Sequence, residues 1–330
     1  MYILAIETSC DDTGAAVFAD GTLLSNVNAG QLIHSEWGGV VPELASRAHQ
    51  ATLQKVVAKA LDEAKVAKDQ LGLVAYTQGP GLLGSLLVGQ SFAKGLAMAL
   101  DVPLLGVNHM QAHVMAHFIE APMPKYPFLC LTVSGGHTQI VVVRAADDME
   151  TIGETRDDAA GEAFDKCGKI LGLPYPAGPI IDARAQLGDA SKYKLPKPAM
   201  EGLDFSFSGL KTAFLYMVQK MDDATKTTET NNLCASLQLT IVNALLEKVA
   251  LAAEQTGIRQ IAIAGGVSAN SGLRQALREM AIMKGWETYA PAMAYCTDNA
   301  AMVGIAAYYM AQKGQRGHLA DVPFVRNRPL

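Results

Sequence analysis

Residues 2–18 read YILAIETSCDDTGAAVF: an apolar run, a polar turn and a second apolar run. Residues 128–143 read FLCLTVSGGHTQIVVV and repeat this pattern. Two runs of strand-forming residues joined by a short polar turn are typical of a pair of neighbouring strands. Helical and strand patterns alternate after each copy. We therefore predict an α/β protein of two similar halves around a central cleft, with both polar turns directed into it.

The chain length agrees with two halves, since 330 residues correspond to about two domains of ~150 residues. A boundary near residues 120–125 gives an N-terminal half of residues 1–122 and a C-terminal half of residues 123–330. The last helical pattern, residues 297–312, is predicted to pack back on the N-terminal half. Helices predicted in the C-terminal half cover residues 160–171, 209–221, 233–256 and 269–280.

Composition and charge limit the classes of function. Half of the residues are hydrophobic and 18% are charged, which excludes a largely disordered chain. The formal net charge is −5, so no global basic field attracts nucleic acid. Any contact with nucleic acid therefore needs a local basic patch or a partner.

Cysteine spacing and hydropathy indicate the cellular compartment of the protein. Five cysteines lie far apart with no C-x-x-C pair, a pattern typical of reduced thiols inside the cell. The first residues lack the basic segment of a signal peptide. Residues 72–93 carry no charge, but the sequence QGPG at residues 78–81 would break a helix spanning a membrane. We expect a soluble, cytoplasmic protein without a membrane partner.

A pair of histidines is the strongest single sign of chemistry. His109 and His113 are four residues apart, so on a helix both imidazoles lie on one face at a spacing that suits a metal. A solvated helix face would explain the same spacing equally well. Met110 stands where an H-E-x-x-H protease has its glutamate, so that class is disfavoured. Asp298 could supply a third ligand, or it could act at the start of the following helix as a cap or first-turn acid.

Three turns rich in small or polar residues could bind phosphate. Residues 134–138 (SGGHT) separate two strands, residues 264–270 (AGGVSAN) join a strand to a helix, and residues 8–14 carry hydroxyls and two carboxylates. The sequence contains no P-loop and no Rossmann glycine motif. Asp165 and Asp182 could hold ribose hydroxyls, or they could form ion pairs with surface lysines such as Lys166 and Lys169.

Taken in order, the motifs resemble those of the bacterial tRNA adenosine threonylcarbamoyltransferase family (TsaD, also called Gcp), from residue 3 to beyond residue 304. The resemblance implies the duplicated fold of actin, sugar kinases and Hsp70-type chaperones, called the ASKHA fold. It also implies transfer of a threonylcarbamoyl group from threonylcarbamoyl-adenylate to the adenine 3′ of the anticodon in tRNAs that read codons beginning with A, with release of AMP. The matching segments are residues 6–13, 38–43, 77–82, 94–114, 133–138, 205–211 and 265–270.

The same resemblance implies roles for individual residues. His109, His113 and Asp298 resemble the ligands of a divalent metal, usually iron, with zinc or magnesium as alternatives. The acidic turn and one histidine are the expected catalytic residues, namely Asp11, Asp12 and His137. The expected site for the adenylate, or for ATP, comprises Val133, Ser134, Gly135, Gly136, His137, Asp165, Gly178, Asp182 and Asn270. Many members have Asp-Glu where this chain has Asp-Asp at residues 11 and 12.

The resemblance also implies partners. These are tRNA, a paralogous TsaB-like protein with the same fold and a small TsaE-like ATPase. The apolar helical patterns at residues 42–65 and 84–100 could form the face that binds a partner. Two alternatives remain: a kinase of the same fold that uses ATP and carboxylate-held magnesium, and a non-catalytic scaffold paralogue. A scaffold would have no reason to keep three metal ligands.

Overall fold

The computed structural model describes residues 1–31, 34–198 and 200–326, and within them it has ten strands and ten helices. The strands are β1 (Tyr2–Glu7), β2 (Thr13–Ala19), β3 (Thr22–Ala29), β4 (Leu71–Gly79), β5 (Leu104–Asn108), β6 (Phe128–Val133), β7 (Thr138–Ala145), β8 (Asp148–Glu154), β9 (Gln260–Ala264) and β10 (Glu287–Tyr289). The helices are α1 (His34–Trp37), α2 (Pro42–Ala64), α3 (Leu83–Leu100), α4 (His109–Met115), α5 (Ala160–Ile170), α6 (Gly178–Ala185), α7 (Ser208–Gln219), α8 (Asp223–Thr256), α9 (Ser271–Lys284) and α10 (Ala300–Gln312).

Two sheets repeat one topology. The first has the strand order β3-β2-β1-β4-β5 and the second has the order β8-β7-β6-β9-β10. In each, the first strand pairs antiparallel with the second, as in β1–β2 and β6–β7, and parallel with a later strand, as in β1–β4 and β6–β9. The predicted duplication of an α/β half is therefore confirmed.

The chain forms two compact units. Unit 1 comprises residues 1–123, 145–149 and 292–326, and unit 2 comprises residues 124–144 and 150–291. Helix α10 belongs to unit 1 and packs on β1 and β2. The core of unit 1 contains buried residues of β1, β2, β4, α2 and α3, whereas that of unit 2 contains residues of β6, β7, β9 and the helices α5 to α9.

Helix α8 corrects a predicted boundary. The pattern placed its start at residue 233, but the helix begins ten residues earlier, at Asp223. The Asp222 carboxylate caps this end by accepting a hydrogen bond of 2.7 Å from the Thr225 backbone N–H. Apart from Ala224, the first turns carry polar residues, so no hydrophobic period there indicates a helix. Helix α6 and the edge strands β8 and β10 were likewise absent from the prediction.

Two helices, α3 and α8, are long and apolar enough to cross a membrane by length and composition alone. Two thirds of the apolar window of α8 is buried in unit 2, so packing explains its composition. For α3 the buried share is one third, and Leu83, Leu87 and Met98 are 51%, 44% and 65% exposed. Helix α3 packs on β4 and α2 and leaves an apolar face uncovered within unit 1.

Gly304 allows the close approach of α10 to the sheet of unit 1. A Cβ atom at this position would meet Cδ2 of Phe18 at 2.5 Å and the Cβ atom of Ala5 at 3.2 Å. We expect Gly304→Ala to lower the free energy of unfolding by about 1–3 kcal/mol, because the buried ring has no room to move. Gly95→Ala on α3 is the matched control: its Cβ would meet nothing within 4 Å, so helix propensity should stabilise it by up to ~1 kcal/mol. Urea unfolding of both variants measures the difference, and equal effects would contradict this account.

Candidate metal centre and nucleotide-binding turns

Helix α4 presents two histidines on one face at the end of β5. Asn108 ends the strand, and its side-chain oxygen caps the helix by accepting from the backbone N–H groups of Met110 (2.8 Å) and Gln111 (3.2 Å). His109 and His113 follow one helical turn apart, with ring centroids 4.7 Å apart and planes at 80°. Both imidazoles are buried, 7% and 1% exposed, so this is not a solvated helix face.

Asp298 lies beside these two rings. Its Oδ1 atom is 3.2 Å from His113 Nε2 and 3.5 Å from His109 Nε2. The helix that follows is capped by the next residue, since the Asn299 side chain accepts from the Met302 backbone N–H at 3.1 Å. The Asp298 carboxylate is thus not the cap and is directed at the histidines. Its backbone carbonyl accepts from Asn28 Nδ2 at 3.0 Å, which ties the loop to β3.

The donor set fits one metal ion. One ligand atom from each of His109, His113 and Asp298 lies within 4.8 Å of the other two. Metal–nitrogen and metal–oxygen bonds of about 2.1 Å place neighbouring ligand atoms roughly 3.0–3.5 Å apart, and two of the observed separations are 3.2 and 3.5 Å. Two imidazoles and one carboxylate suit iron(II) or zinc better than magnesium. The three predicted ligands therefore form a possible metal-binding cluster.

His109 and Asp298 shift each other's pKa values. Burial lowers the pKa of His109, but the carboxylates of Asp298 and Glu7 outweigh burial and raise the pKa to about 10. Burial raises the pKa of Asp298, but the two histidines outweigh it and hold the pKa well below its usual range. Without metal, His109 is therefore protonated at neutral pH, and a metal that binds its Nε2 must displace that proton.

The acidic turn between β1 and β2 is also in unit 1. His49 on α2 holds this turn, with Nε2 2.9 Å from the Cys10 carbonyl and Nδ1 2.8 Å from Thr13 Oγ1. Asp11 and Asp12 lie between these two anchors and are partly exposed. Burial, followed by the negative charges of Asp298, Asp11 and Glu7, raises the pKa of Asp12 to about 7. A carboxyl that ionises near pH 7 can act as a general base.

Two glycine turns of unit 2 lie side by side because β6 and β9 pair in parallel. Gly265 has φ +84°, and a Cβ there would collide with the carbonyl of Val133. The Ser134 hydroxyl accepts from the His137 backbone N–H at 3.1 Å and closes the other turn. Cβ atoms at Gly135 and Gly136 would meet nothing within 4 Å, so open space adjoins this backbone. Such a turn can receive an anion.

The other predicted binding side chains of unit 2 form hydrogen bonds at the N-terminal ends of helices. Asp165 accepts from the backbone N–H groups of Ala177 (2.8 Å) and Gly178 (3.3 Å), at the start of α6. Asp182 accepts from the Ser271 N–H (2.9 Å) and hydroxyl (2.7 Å), at the start of α9. Asn270 caps α9 by accepting from the Leu273 N–H at 2.9 Å.

The alternative of ion pairs with surface lysines does not describe these two aspartates. Lys166 pairs instead with Asp158 at 2.7 Å and with Glu162 at 2.8 Å.

A pocket of about 460 Å³ opens next to these helix starts in unit 2. Gln186, Gln238, Ser271 and Arg278 are among its lining residues. Gln238 Oε1 accepts from Asn270 Nδ2 at 2.7 Å, so the pocket adjoins the predicted binding residues directly. A larger groove of about 1020 Å³ lies along the C-terminal part of α8 and contains none of the predicted site residues.

The predicted site residues thus fall into two groups. The aspartates of the acidic turn and the metal cluster are together in unit 1, whereas the glycine turns, His137, Asp165, Asp182 and Asn270 are in unit 2. Sequence reasoning missed Glu7, His49, Gln238 and Ser271. Glu7 had one visible signal, a charged residue that ends an apolar strand pattern. The two helical residues His49 and Gln238 had no such signal, because polar residues in a helical pattern are usually assigned to the solvent-exposed face.

Comparisons with known proteins agree on one family. Residues 22–305 match the family model described as TsaD: tRNA N6-adenosine threonylcarbamoyltransferase. The chain is 56% identical over 313 residues to the protein of that name from Christiangramia forsetii, covering 93% of this chain and 92% of that protein. It is 52% identical over 334 residues to the one from Porphyromonas gingivalis, covering 99% and 98%.

Solved structures agree on the fold. Component A of the (R)-2-hydroxyglutaryl-CoA dehydratase of Acidaminococcus fermentans superposes with a TM-score of 0.54 at 16% identity. The match covers 94% of this chain and 99% of that one. At this identity the likeness concerns the fold alone, and it supports the predicted ASKHA architecture of two α/β halves.

Proposed function

The chain belongs to the TsaD family, the tRNA N6-adenosine threonylcarbamoyltransferases. From this premise we propose which of its residues bind the metal, bind the adenylate and accept the proton. The threonylcarbamoyl group moves from threonylcarbamoyl-adenylate to N6 of the adenine 3′ of the anticodon, in tRNAs that read codons beginning with A. The N6–carbonyl bond forms, the carbonyl–oxygen bond of the mixed anhydride breaks, and AMP leaves with that oxygen. The cluster of His109, His113 and Asp298 is the observation that carries the proposal.

His109, His113 and Asp298 would hold one divalent metal, with iron(II) as the proposed ion. When bound, such an ion supplies Lewis-acid stabilisation of the negative charge that develops on the anhydride oxygens. The buried position of both imidazoles keeps water away from two of the three ligands. A kinase would need a magnesium site made of oxygen ligands, so this donor set favours the transferase over a kinase.

The adenylate is proposed to bind unit 2. The turn of residues 133–137 would receive its phosphate through backbone N–H groups and the N-terminal end of α9 would add favourable dipole charge. The pocket beside Asn270 would take the adenine. Asp165, Gly178 and Asp182 would contribute by fixing the starts of α6 and α9, and through them the shape of this pocket.

Asp12 is the proposed general base, with Asp11 beside it and His137 as the third catalytic candidate. The attacking N6 amine loses a proton as the new bond forms, and the Asp12 carboxylate can accept it. In the metal-free protein, burial and neighbouring carboxylates raise the pKa of Asp12 to about 7. His49 keeps the Asp11–Asp12 turn in place by its two hydrogen bonds. Positioning should supply much of the rate, since the adenylate is already activated.

Partner proteins are proposed because the chain is acidic and must act on an anionic tRNA. The uncovered apolar side chains Leu83, Leu87 and Met98 of α3 suit a stable contact with another protein. We assign this face, with α2 beside it, to a TsaB-like paralogue, and a TsaE-like ATPase would complete the assembly. The reaction is assigned to the cytoplasm, where its tRNA substrates are.

An add-back assay tests the whole proposal. A cell extract depleted of this protein, with ATP, threonine, bicarbonate and unmodified tRNA, should form threonylcarbamoyladenosine in the tRNA only when the purified chain is added. His113→Ala should restore none, whereas His318→Ala, which removes an exposed histidine of the same unit, should restore it fully. If wild type and both variants form no product while the partners are present, the proposal fails. Product formed by His113→Ala at the wild-type rate would remove the metal cluster from the mechanism.

A further inference from the structure

Glu7 is a carboxylate with no exposure to solvent at the end of β1. Strands β1, β4 and β5 run parallel, so their carboxyl ends meet at one edge of the sheet. Glu7 ends β1, Thr77 lies near the end of β4, and His109 directly follows β5. A buried charge is costly unless hydrogen bonds satisfy it, and these neighbours supply such bonds.

Three donors converge on this carboxylate. Its Oε1 atom accepts from the Ser9 backbone N–H at 2.5 Å. Its Oε2 atom accepts from the Thr77 hydroxyl and lies 3.3 Å from Nδ1 of His109. A Cβ at Gly81 would meet the Ser9 carbonyl oxygen at 2.5 Å, so the backbone after Glu7 is packed closely against its neighbours. The carboxylate is therefore held in one position.

The contact with Nδ1 decides which nitrogen of His109 remains for a metal. Glu7 is 3.3 Å from Nδ1, whereas Asp298 is 3.5 Å from Nε2 on the opposite side of the ring. Carboxylate oxygens accept hydrogen bonds, so Nδ1 is the ring nitrogen that is placed to donate one to Glu7. The other ring nitrogen, Nε2, is then the one whose lone pair can face a metal.

We propose that Glu7 is a positioning residue for the metal centre: it holds His109 with Nδ1 protonated and thereby aims Nε2 at the metal. This inference rests on the proposed metal site. The second histidine lacks such support, because the buried Nδ1 atom of His113 has no hydrogen-bond partner among the described residues. Glu7 accordingly sets the orientation of one ligand, and the edge contact between the two rings, with centroids 4.7 Å apart at 80°, links the other ligand to it.

Zinc affinity, measured by competition with a chromogenic chelator, tests this role without relying on activity. We expect Glu7→Gln to weaken zinc binding by about 10- to 100-fold, as is usual when a partner behind a metal ligand is lost. Glu63→Gln on α2 removes an exposed carboxylate of the same unit and should leave the affinity within about two-fold of wild type. Thr77→Val, which removes one donor to Glu7 and keeps its shape, should weaken binding by a smaller factor.

A spectroscopic readout separates positioning from general stability. In zinc-loaded wild-type protein, 15N spectra of the histidine rings should show hydrogen on Nδ1 and metal on Nε2 of His109. Glu7→Gln should broaden or lose that Nδ1–H signal as the ring gains mobility.

The inference is overturned if Glu7→Gln, or Thr77→Val where the first variant does not fold, keeps both wild-type zinc affinity and an unchanged Nδ1–H signal. A separate outcome concerns the metal site itself. If His109→Ala binds zinc as tightly as wild type, the proposed cluster is wrong, whatever Glu7 does.

Discussion

Asp298→Ala should give a folded protein that holds no metal and transfers no threonylcarbamoyl group. Asp298 Oδ1 lies within 3.5 Å of a nitrogen of both His109 and His113, so its loss removes the ligand that closes the cluster. Two imidazoles alone bind a divalent ion weakly. Without the metal, the negative charge that develops on the anhydride oxygens lacks Lewis-acid stabilisation worth several kcal/mol. The rate of transfer should therefore fall by at least about 100-fold.

The measurement pairs metal content per chain with modified nucleoside formed in the add-back assay. Asp69→Asn, between α2 and β4, removes an exposed carboxylate outside the proposed partner face and serves as the control, expected to match wild type in both readouts. Asp298→Asn should lie between the two, because it keeps an oxygen near the ligand position but loses the charge. A variant Asp298→Ala that lost its metal and kept the wild-type rate would exclude the metal from the transfer.

Asp12→Asn should separate the base from the metal. The neutral amide cannot accept the proton of the attacking amine, so transfer should fall by about 10²- to 10⁴-fold while metal content stays at the wild-type level. In wild type, the rate should rise with pH as Asp12 ionises, with a pKa of about 7 in the metal-free protein that a bound cation would lower. The Asp12→Asn variant should lack this rise of the rate with pH. A pH profile of single-turnover transfer checks both points, and a wild-type rate in Asp12→Asn would pass the role to Asp11 or His137.

The same group makes stability depend on pH in metal-free protein. Burial and neighbouring negative charge raise the pKa of Asp12 from 3.8 to about 7, so the folded state binds more protons than the unfolded state between these values. This contribution to the free energy of unfolding is present below about pH 4 and is lost as the pH rises towards 7. After allowance for solvent screening, the free energy of unfolding of wild type should fall by about 1–2 kcal/mol over this pH range because of Asp12. Asp12→Asn should not show this fall. Urea unfolding at pH 5 and pH 8 with a chelator present measures it.

Local pattern was a good guide where hydrophobic periodicity was strong. The paired apolar runs at residues 2–18 and 128–143 predicted both strand pairs, and the helical spacing of His109 and His113 predicted a shared face. The pattern failed where polar residues begin an element, as in the first turns of α8, and where an element is short, as in β10. In those places a cap such as Asp222, or pairing with a neighbouring strand, provides the stability that periodicity would otherwise signal.

The sequence by itself determined the duplicated α/β fold, the family and the identity of the three candidate ligands, because each depends on residue type and spacing along the chain. Only the tertiary structure decided that Asp298 faces both histidines while Asn299 caps α10, and that Glu7 lies behind His109. Glu7 and His109 are 102 positions apart, and His113 and Asp298 are 185 apart. Parallel pairing of β1, β4 and β5 brings Glu7 and His109 to one edge of the sheet, and the loop before α10 brings Asp298 to the histidines. Burial at that edge also set the charges, since a carboxyl such as that of Asp12 has a raised pKa only where other carboxylates and little water surround it.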